Sequence, residues 1–453
     1  MEDNNRNTDM ILLLDDYSRE SELLHTSFKL SGIDCRAIVT EPDGFLPEDA
    51  VSVYELATGS DISLNCSKPM PRCFYQVDVP EFWEISSTGN MGKVHELNRE
   101  RARIYYAEPK HKRMVRLVEW LDDNGVVRLS EQYNKYGNIF AKTIYNSKGE
   151  KVNRTFFTPS GKEVIHENHV TGSIILTQNG IDSVYRDKTS FITDVLVKSG
   201  YKDSRYFINS LSYPFFCELR LKSDRSDDVL FWQEDERPDV PGNMETIIEN
   251  KSGIGRIMVQ KEAAFDRLCD LAGDRYRFEK LGFVYPFKKE NTHGKNILIC
   301  TNSDQIIHLE DLIKELPDMN FHVAAITEMS SELMRLDDHK NVKLYPGAKQ
   351  KTFDRLFMEC DIYLDINRYD EIVDAVFNAF LHDHMMFAFK EVAHKPSLIC
   401  NDTKYAADDW MKMAADIRKA ADDKEVSERM CRMQKQNALA QTPESFKRAV
   451  CGN

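Results

Sequence analysis

Residues 114–169 read MVRLVEWLDDNG VVRLSEQYNKYG NIFAKTIYNSKG EKVNRTFFTPSG KEVIHENH, with a glycine at every twelfth position: Gly125, Gly137, Gly149 and Gly161. Each closes a cluster of turn formers (Asp122-Asp123-Asn124-Gly125, Asn134-Lys135-Tyr136-Gly137, Asn146-Ser147-Lys148-Gly149, Thr158-Pro159-Ser160-Gly161), the chemistry of chain reversals in which the glycine takes a positive φ. Four turn residues leave eight for a strand, about 26 Å long at ~3.3 Å per residue, so the spacing predicts an antiparallel meander of long hairpins. Tyr133, Tyr145 and Phe157 each follow a glycine by eight residues and are expected to brace alternate edges of one sheet.

These strands carry little apolar alternation. From Glu150 to Thr155 only Val152 is apolar, and the first strand, Met114 to Leu121, is the one apolar enough for a core. The meander is therefore expected to project as a thin platform. A long exposed sheet is a docking surface, and a partner's sheet laid against it would cover its edges. Trp120, Tyr133, Tyr136 and Phe140 are its candidate partner-interface residues.

The flanking sequence is of another kind. Met10-Ile-Leu-Leu-Leu14 is a short apolar run suited to a buried parallel strand, followed by helical spacing through Leu23, Leu24, Phe28 and Leu30, then by a strand at Cys35 to Val39. No glycine follows the first strand. Asp15 and Asp16 stand where a phosphate-cradling turn would be. Val51 to Leu56, Phe74 to Val79 and Arg103 to Ala107 read as strands leading into the meander, and a helix at Ser190 to Val197 returns to the α/β pattern. From Lys295 strands and helices alternate regularly, with Asn296 to Thr301, Phe321 to Thr327, Val342 to Tyr345, Asp361 to Ile366, Met385 to Phe389 and Ser397 to Cys400 as strands, and Asp370 to Leu381 as a helix. The expected organisation is a first α/β domain over 1–70 and 186–290, an inserted extended β-sheet domain over 71–185, and a second α/β domain with C-terminal helices over 291–453.

A chain of 453 residues with 42% apolar content is long enough for two or three folded domains, and its net charge of −14 excludes a nucleic-acid binder. The ten cysteines are scattered, without Cys-x-x-Cys or zinc-ligand spacing, and read as reduced core residues. His382, Asp383 and His384 read as solvated residues at a helix end, not as a metal site, and no cofactor site is expected. Met1-Glu-Asp-Asn-Asn-Arg6 lacks signal-peptide character and no apolar run reaches the ~20 residues of a membrane span, so the reading is cytoplasmic, with peripheral association at the membrane's inner face left open.

Two such domains, and a strand Asp361-Ile-Tyr-Leu-Asp-Ile-Asn367 running straight into a helix, resemble a GT-B glycosyltransferase. In the retaining members with the Glu-x7-Glu motif, that strand leads into Glu-Gly-Phe-Gly, and a second Glu followed by Ala comes eight residues after the first. The matching frame here reads Asp370-Glu371-Ile372-Val373, then Asn378-Ala379. Both glycines are replaced, Glu371 adds a carboxylate that repels a diphosphate, and Asn378 is neutral. Thr301-Asn302-Ser303-Asp304 also lacks the basic pair that usually follows the domain's first strand.

Tandem α/β domains, an inserted meander and a degenerate donor site together resemble the GtfB family, the glycosyltransferase-stabilising proteins of accessory Sec systems. The resemblance implies a non-catalytic chaperone subunit, partner of the O-GlcNAc transferase GtfA in a hetero-oligomer, that binds a Ser/Thr-rich adhesin polypeptide glycosylated before export. The alternative is an active retaining GT-B transferase using UDP-GlcNAc, with Asp370 as the surviving carboxylate. Asn302, Ser303, Asn367, Arg368, Asp370 and Asn378 are the candidate acceptor-binding residues, because they lie at carboxyl ends of second-domain strands or on the following helix, where open α/β sheets place ligands.

Overall fold

A computed structural model describes residues 10–59, 70–221 and 227–452. The N-terminal hexapeptide and Cys66 lie outside them. The chain divides into two compact units at residue 280, with residues 30–32 assigned to the second.

The first unit holds a seven-stranded parallel sheet in the order Glu279–Lys280, Ile254–Val259, Asp228–Trp232, Arg205–Ile208, Met10–Leu14, Arg36–Val39, Ala50–Ser52. The apolar run at 11–14 is fully buried at its centre, as a doubly wound sheet requires of a middle strand. Between the last of these strands and helix Lys188–Lys198 the chain builds a ten-stranded antiparallel meander, Glu84–Ser87 to Ile181–Tyr185, in which every strand pairs with its sequence neighbours. The four glycines close its turns with φ between 76° and 83°. In each turn the first side chain also binds the backbone: Asp122 Oδ1 accepts from Val126 N at 3.1 Å, Asn134 Oδ1 from Asn138 N at 3.0 Å, Asn146 Oδ1 from Glu150 N at 3.0 Å and Thr158 Oγ1 from Lys162 N at 3.1 Å. This purely local chemistry sets the twelve-residue period.

The meander is not a thin polar platform. Val94, Ala102, Ile104 and Val118 form a core with Tyr106, Val115 and Tyr133, packed by Phe74, Trp83 and Trp120. Further along, Ala141, Phe156, Ile165 and Leu176 belong to the core of the first α/β sheet together with Tyr54, Phe191 and Tyr206. Register shows that the two cores use opposite faces. Val118 lies across from Glu131 and Glu131 from Lys142, whereas Phe156 lies across from Ala141, the neighbour of Lys142. Tyr54 stacks on Phe156 with centroids 4.4 Å apart, and its hydroxyl donates to the buried Glu167 carboxylate, itself 3.3 Å from Arg154 Nη1. A face that is buried in one half and bare in the other leaves no simple alternation to read.

Three sequence expectations change. Val51 to Leu56 is chiefly helix Val53–Thr58, started by a capping box in which Glu55 N donates to Ser52 Oγ at 3.1 Å and Ser52 N to Glu55 Oε2 at 2.9 Å. Phe74 to Val79 holds only a 3-10 turn, Phe74–Gln76, and Ser397 to Cys400 likewise falls on the 3-10 turn Pro396–Leu398.

The second unit holds a six-stranded parallel sheet in the order Val342–Tyr345, Asn320–Ala325, Asn296–Thr301, Ile362–Asp365, Met385–Phe389, Lys404–Tyr405, flanked by helices that include Trp410–Asp422, Lys424–Asn437 and Pro443–Cys451. The order reverses between Asn296–Thr301 and Ile362–Asp365, and that crevice is where a sheet of this kind takes a ligand. Two doubly wound α/β sheets with an inserted antiparallel sheet are the GT-B-like class expected from the sequence. Among the described residues no helix is long and apolar enough to cross a membrane.

Candidate functional site: a crevice filled by its own chain

The loops after the two strands at the reversal point bond to each other. Ile307 N donates to Ile366 O and Arg368 N to Gln305 O, both at 3.0 Å, and Ile306 and Asn367 form an antiparallel bridge. The buried Thr301 hydroxyl donates to Asn367 Oδ1 at 2.8 Å, while Asn367 Nδ2 donates to Tyr369 O at 2.9 Å. Asn367 is only 3% exposed and serves as a brace between the loops, so it is not available as an acceptor contact.

After Asn367 the chain stays irregular until helix Ala375–Leu381, which starts later than the sequence predicts. Val373 and Asp374 sit at φ 49° and 52°. Val373 occupies the second glycine position of the motif frame, so the left-handed backbone that glycine would adopt freely is kept by a β-branched residue, at a cost of roughly 1–2 kcal/mol. Asn378 stabilises that bend: Nδ2 donates to Val373 O at 2.9 Å and Asp374 O at 3.2 Å. Both donors being spent, Asn378 is also withdrawn from the acceptor set.

At the first glycine position, the Glu371 side chain turns onto the helix start. Its Oε1 accepts from Val376 N at 2.7 Å, and its Oε2 is paired with Lys395, which also lies 2.8 Å from Asp374 Oδ1. The chain thus supplies its own anion where a phosphate would seek helix amides, and its own cation is spent on that anion. The sequence reading of Glu371 as a repelling charge changes accordingly, since Lys395 neutralises it. His394 adds a second tie. Its Nδ1 donates to Asp365 Oδ1 at 2.7 Å and its Nε2 to Tyr369 O at 2.9 Å. Two acceptors require two N–H groups, hence the imidazolium, and the bond to buried Asp365 raises the His394 pKa.

The remaining candidates line the rim. Arg368 and Asp370 are exposed, Asn302 and Ser303 are half-buried, and Asn302 Oδ1 has no hydrogen-bond partner among the described residues. Lys395 and His394 were missed in the sequence because they lie beyond the next strand, and no local pattern marks them. His382, Asp383 and His384 are not solvated: they are 4%, 5% and 0% exposed, Asp383 pairs with Lys435 at 2.9 Å, and burial pushes the His384 pKa down to about 3. No cluster of potential metal ligands occurs among the described residues.

The candidate partner surface also changes. Tyr133 and Phe140 are 1% and 6% exposed, their rings spent on this chain's own cores, whereas Trp120 and Tyr136 are half-buried. The exposed apolar side chains on the outer face of the later meander strands are Ile144, Ile175 and Val184, on either side of Thr155 and His166. Pattern alone could not separate these from the buried set.

Comparison with known proteins agrees with this architecture. Four family models match: the GtfB N-terminal domain over 11–56, the GtfB middle domain over 83–186, the GtfB third domain over 188–271, and the GftB/GlyA-F C-terminal domain over 297–435. The chain is 37% identical to the UDP-N-acetylglucosamine--peptide N-acetylglucosaminyltransferase stabilizing protein GtfB of Streptococcus agalactiae, covering 86% of this chain and 88% of that one. It is 36% identical to the protein of the same name from Streptococcus gordonii, over 91% of each. One chain of a solved GtfA/B complex bound to UDP and GlcNAc superposes with a TM-score of 0.90 at 35% identity, covering 98% of this chain and 99% of that one.

Proposed function

Because this chain belongs to the GtfB family of glycosyltransferase-stabilising proteins, we propose that it is the non-catalytic subunit of a protein O-GlcNAc transferase, holding the acceptor polypeptide while GtfA performs the transfer. The observation that carries this reading is the Glu371 carboxylate on Val376 N, paired with Lys395, in the place of a donor phosphate. Lys395, the cation in contact with it, is shared with Asp374, and neutral Asn378 is tied to backbone carbonyls.

Acceptor contacts fall to Asn302, Ser303, Arg368 and Asp370 on the rim. A Ser/Thr-rich acceptor is uncharged and is gripped by many hydrogen bonds of ~0.5–1.5 kcal/mol each. The partner docks on the outer meander face through Ile144, Ile175 and Val184, flanked by Trp120 and Tyr136. The biological acceptor is a Ser/Thr-rich adhesin modified before accessory Sec export, on the cytoplasmic side of the membrane.

The test is calorimetry of the chain alone with UDP and UDP-GlcNAc, beside acceptor glycosylation by the complex. The chain alone binds neither nucleotide at ~1 mM and releases no UDP, while acceptor glycosylation requires both subunits. Micromolar binding of UDP to the chain alone overturns the non-catalytic reading.

A further inference from the structure

Residues 368–370 are the bare edge of the crevice. Arg368, Tyr369 and Asp370 are all exposed, and Tyr369 leaves 58% of its surface open. Within the crevice loops, Asn367 Nδ2 donates to Tyr369 O at 2.9 Å and Arg368 N to Gln305 O at 3.0 Å. A further tie crosses from beyond strand Met385–Phe389, where His394 Nε2 donates to Tyr369 O at 2.9 Å.

The other end of His394 is fixed. Its backbone N donates to Asp365 Oδ2 at 2.6 Å and its Nδ1 to Asp365 Oδ1 at 2.7 Å, so both oxygens of one carboxylate hold the residue. Asp365 is 2% exposed and ends strand Ile362–Asp365, which makes it a rigid base. The ring therefore spans from a buried strand to an exposed loop. A neutral imidazole carries a single N–H and serves Asp365 or Tyr369 O, not both. The buried carboxylate keeps that N–H, because a charge-assisted bond is the stronger of the two.

The charged groups around the ring are Asp365, Glu371, Lys395 and Asp374. Asp365 and Glu371 both favour the imidazolium, and the cation Lys395 is paired with Glu371 and Asp374. The bond to Asp365 outweighs burial and raises the His394 pKa above its ordinary value. With the folded-state value raised, the tie to Tyr369 is complete at low pH and is lost as pH rises through that value.

We propose that His394 is the positioning residue of the acceptor rim, an imidazolium clasp between Asp365 and Tyr369 O whose deprotonation frees residues 368–370. The inference rests on the placement of the acceptor polypeptide against Arg368 and Asp370, and it gives that contact a pH dependence: the polypeptide is gripped on the acid side of the transition and released on the alkaline side.

His394→Asn separates the clasp from the fold, since an Asn amide takes the place of Nδ1 on Asp365 but is too short to reach Tyr369 O. Three measurements on the full chain test the proposal. Nitrogen NMR of the histidine-labelled chain at pH 7 finds one histidine with both ring nitrogens protonated, and its signals are missing from His394→Asn. Trypsin cleavage after Arg368, normalised at each pH to a free peptide substrate, is about fivefold faster at pH 9 than at pH 7 in the native chain and fast at both in His394→Asn. Anisotropy of a labelled Ser/Thr-rich peptide shows a Kd that rises about tenfold from pH 7 to pH 9, whereas His394→Asn binds about tenfold more weakly at pH 7 and does not respond to pH. A His394 that is neutral at pH 7, or cleavage after Arg368 that is equal at the two pH values, overturns the clasp. Faster cleavage with unchanged peptide affinity overturns the positioning role. A native chain that binds no peptide at either pH fails the acceptor-holding role itself, and the NMR and trypsin measurements still decide the clasp.

Discussion

Replacing Phe156 by alanine unfolds more than a hairpin. Phe156 is fully buried, stacks on Tyr54 at an interplanar angle of 16°, and shares a core with Phe191 and Tyr206 beneath the first parallel sheet. Losing a fully buried Phe forfeits ~1.5–3 kcal/mol of apolar burial, to which the aromatic pair adds ~0.5–1.5 kcal/mol and the residual cavity a further share. The expected loss is therefore about 3–5 kcal/mol, a large part of a domain's stability. Equilibrium urea unfolding, followed both by tryptophan fluorescence and by exchange protection of amides in Met10–Leu14 and Arg205–Ile208, measures it. Both probes shift together, because the meander and the parallel sheet share one core. A loss below about 1 kcal/mol, or one confined to meander amides, refutes the shared core. Deletion of 114–169 is expected, for the same reason, to unfold the first unit instead of yielding a trimmed, soluble α/β domain.

Val373→Gly relieves a left-handed β-branched residue, offset in part by the greater entropy of glycine in the unfolded chain, and raises stability by up to about 1 kcal/mol; a fall of that size shows that the valine side chain contributes packing that outweighs its strain. Glu371→Ala removes the carboxylate from the helix start and leaves Lys395 paired with Asp374 alone, lowering stability by roughly 0.5–2 kcal/mol without creating UDP affinity, and micromolar UDP binding by this variant would mean that the crevice is otherwise intact. Glu218 and Asp228 are 2% and 1% exposed, and burial pushes both carboxyls up to about 7. The folded state holds protons that the unfolded chain releases above pH ~4, so their contribution is complete below that value and fades as pH rises through about 7. The urea midpoint is expected to fall from pH 5 to pH 8, and Glu218→Gln with Asp228→Asn to flatten that slope; an unchanged slope excludes the pair as its source. Ile175→Asp with Val184→Asp should abolish co-elution with GtfA while leaving the melting temperature within about 2 °C, since exposed substitutions seldom exceed ±0.5 kcal/mol.

What could be read from the sequence was whatever a few consecutive residues decide. The meander's turns were legible because an Asx or Thr side chain and a glycine four or fewer residues apart complete the reversal unaided. The alternating strands of the second unit were legible through their apolar runs. The helix Val53–Thr58 was misread because Val51 and Val53 favour a strand, although Ser52 and Glu55 already spelled out a capping box. Burial in the meander was illegible for a different reason: whether Phe156 or Thr155 faces a core depends on Tyr54 and Phe191, which arrive from outside the sheet. In the crevice, the loss of both glycines and of the second carboxylate was visible in one short frame. The filling of the gap was not, because Lys395 reaches Glu371 only after the chain has crossed another strand.

The twelve-residue period makes the meander a ruler with a fixed step. One unit reverses the direction of the chain, so adding or removing a single unit would deliver the polypeptide to the wrong edge. Two units restore it. A graft of twenty-four residues therefore preserves both the entry and the exit of the chain and changes the width of the sheet by two strand spacings, about 9.5 Å. The sheet can be widened in that increment alone but not narrowed, because every existing unit supplies side chains to one of the two cores.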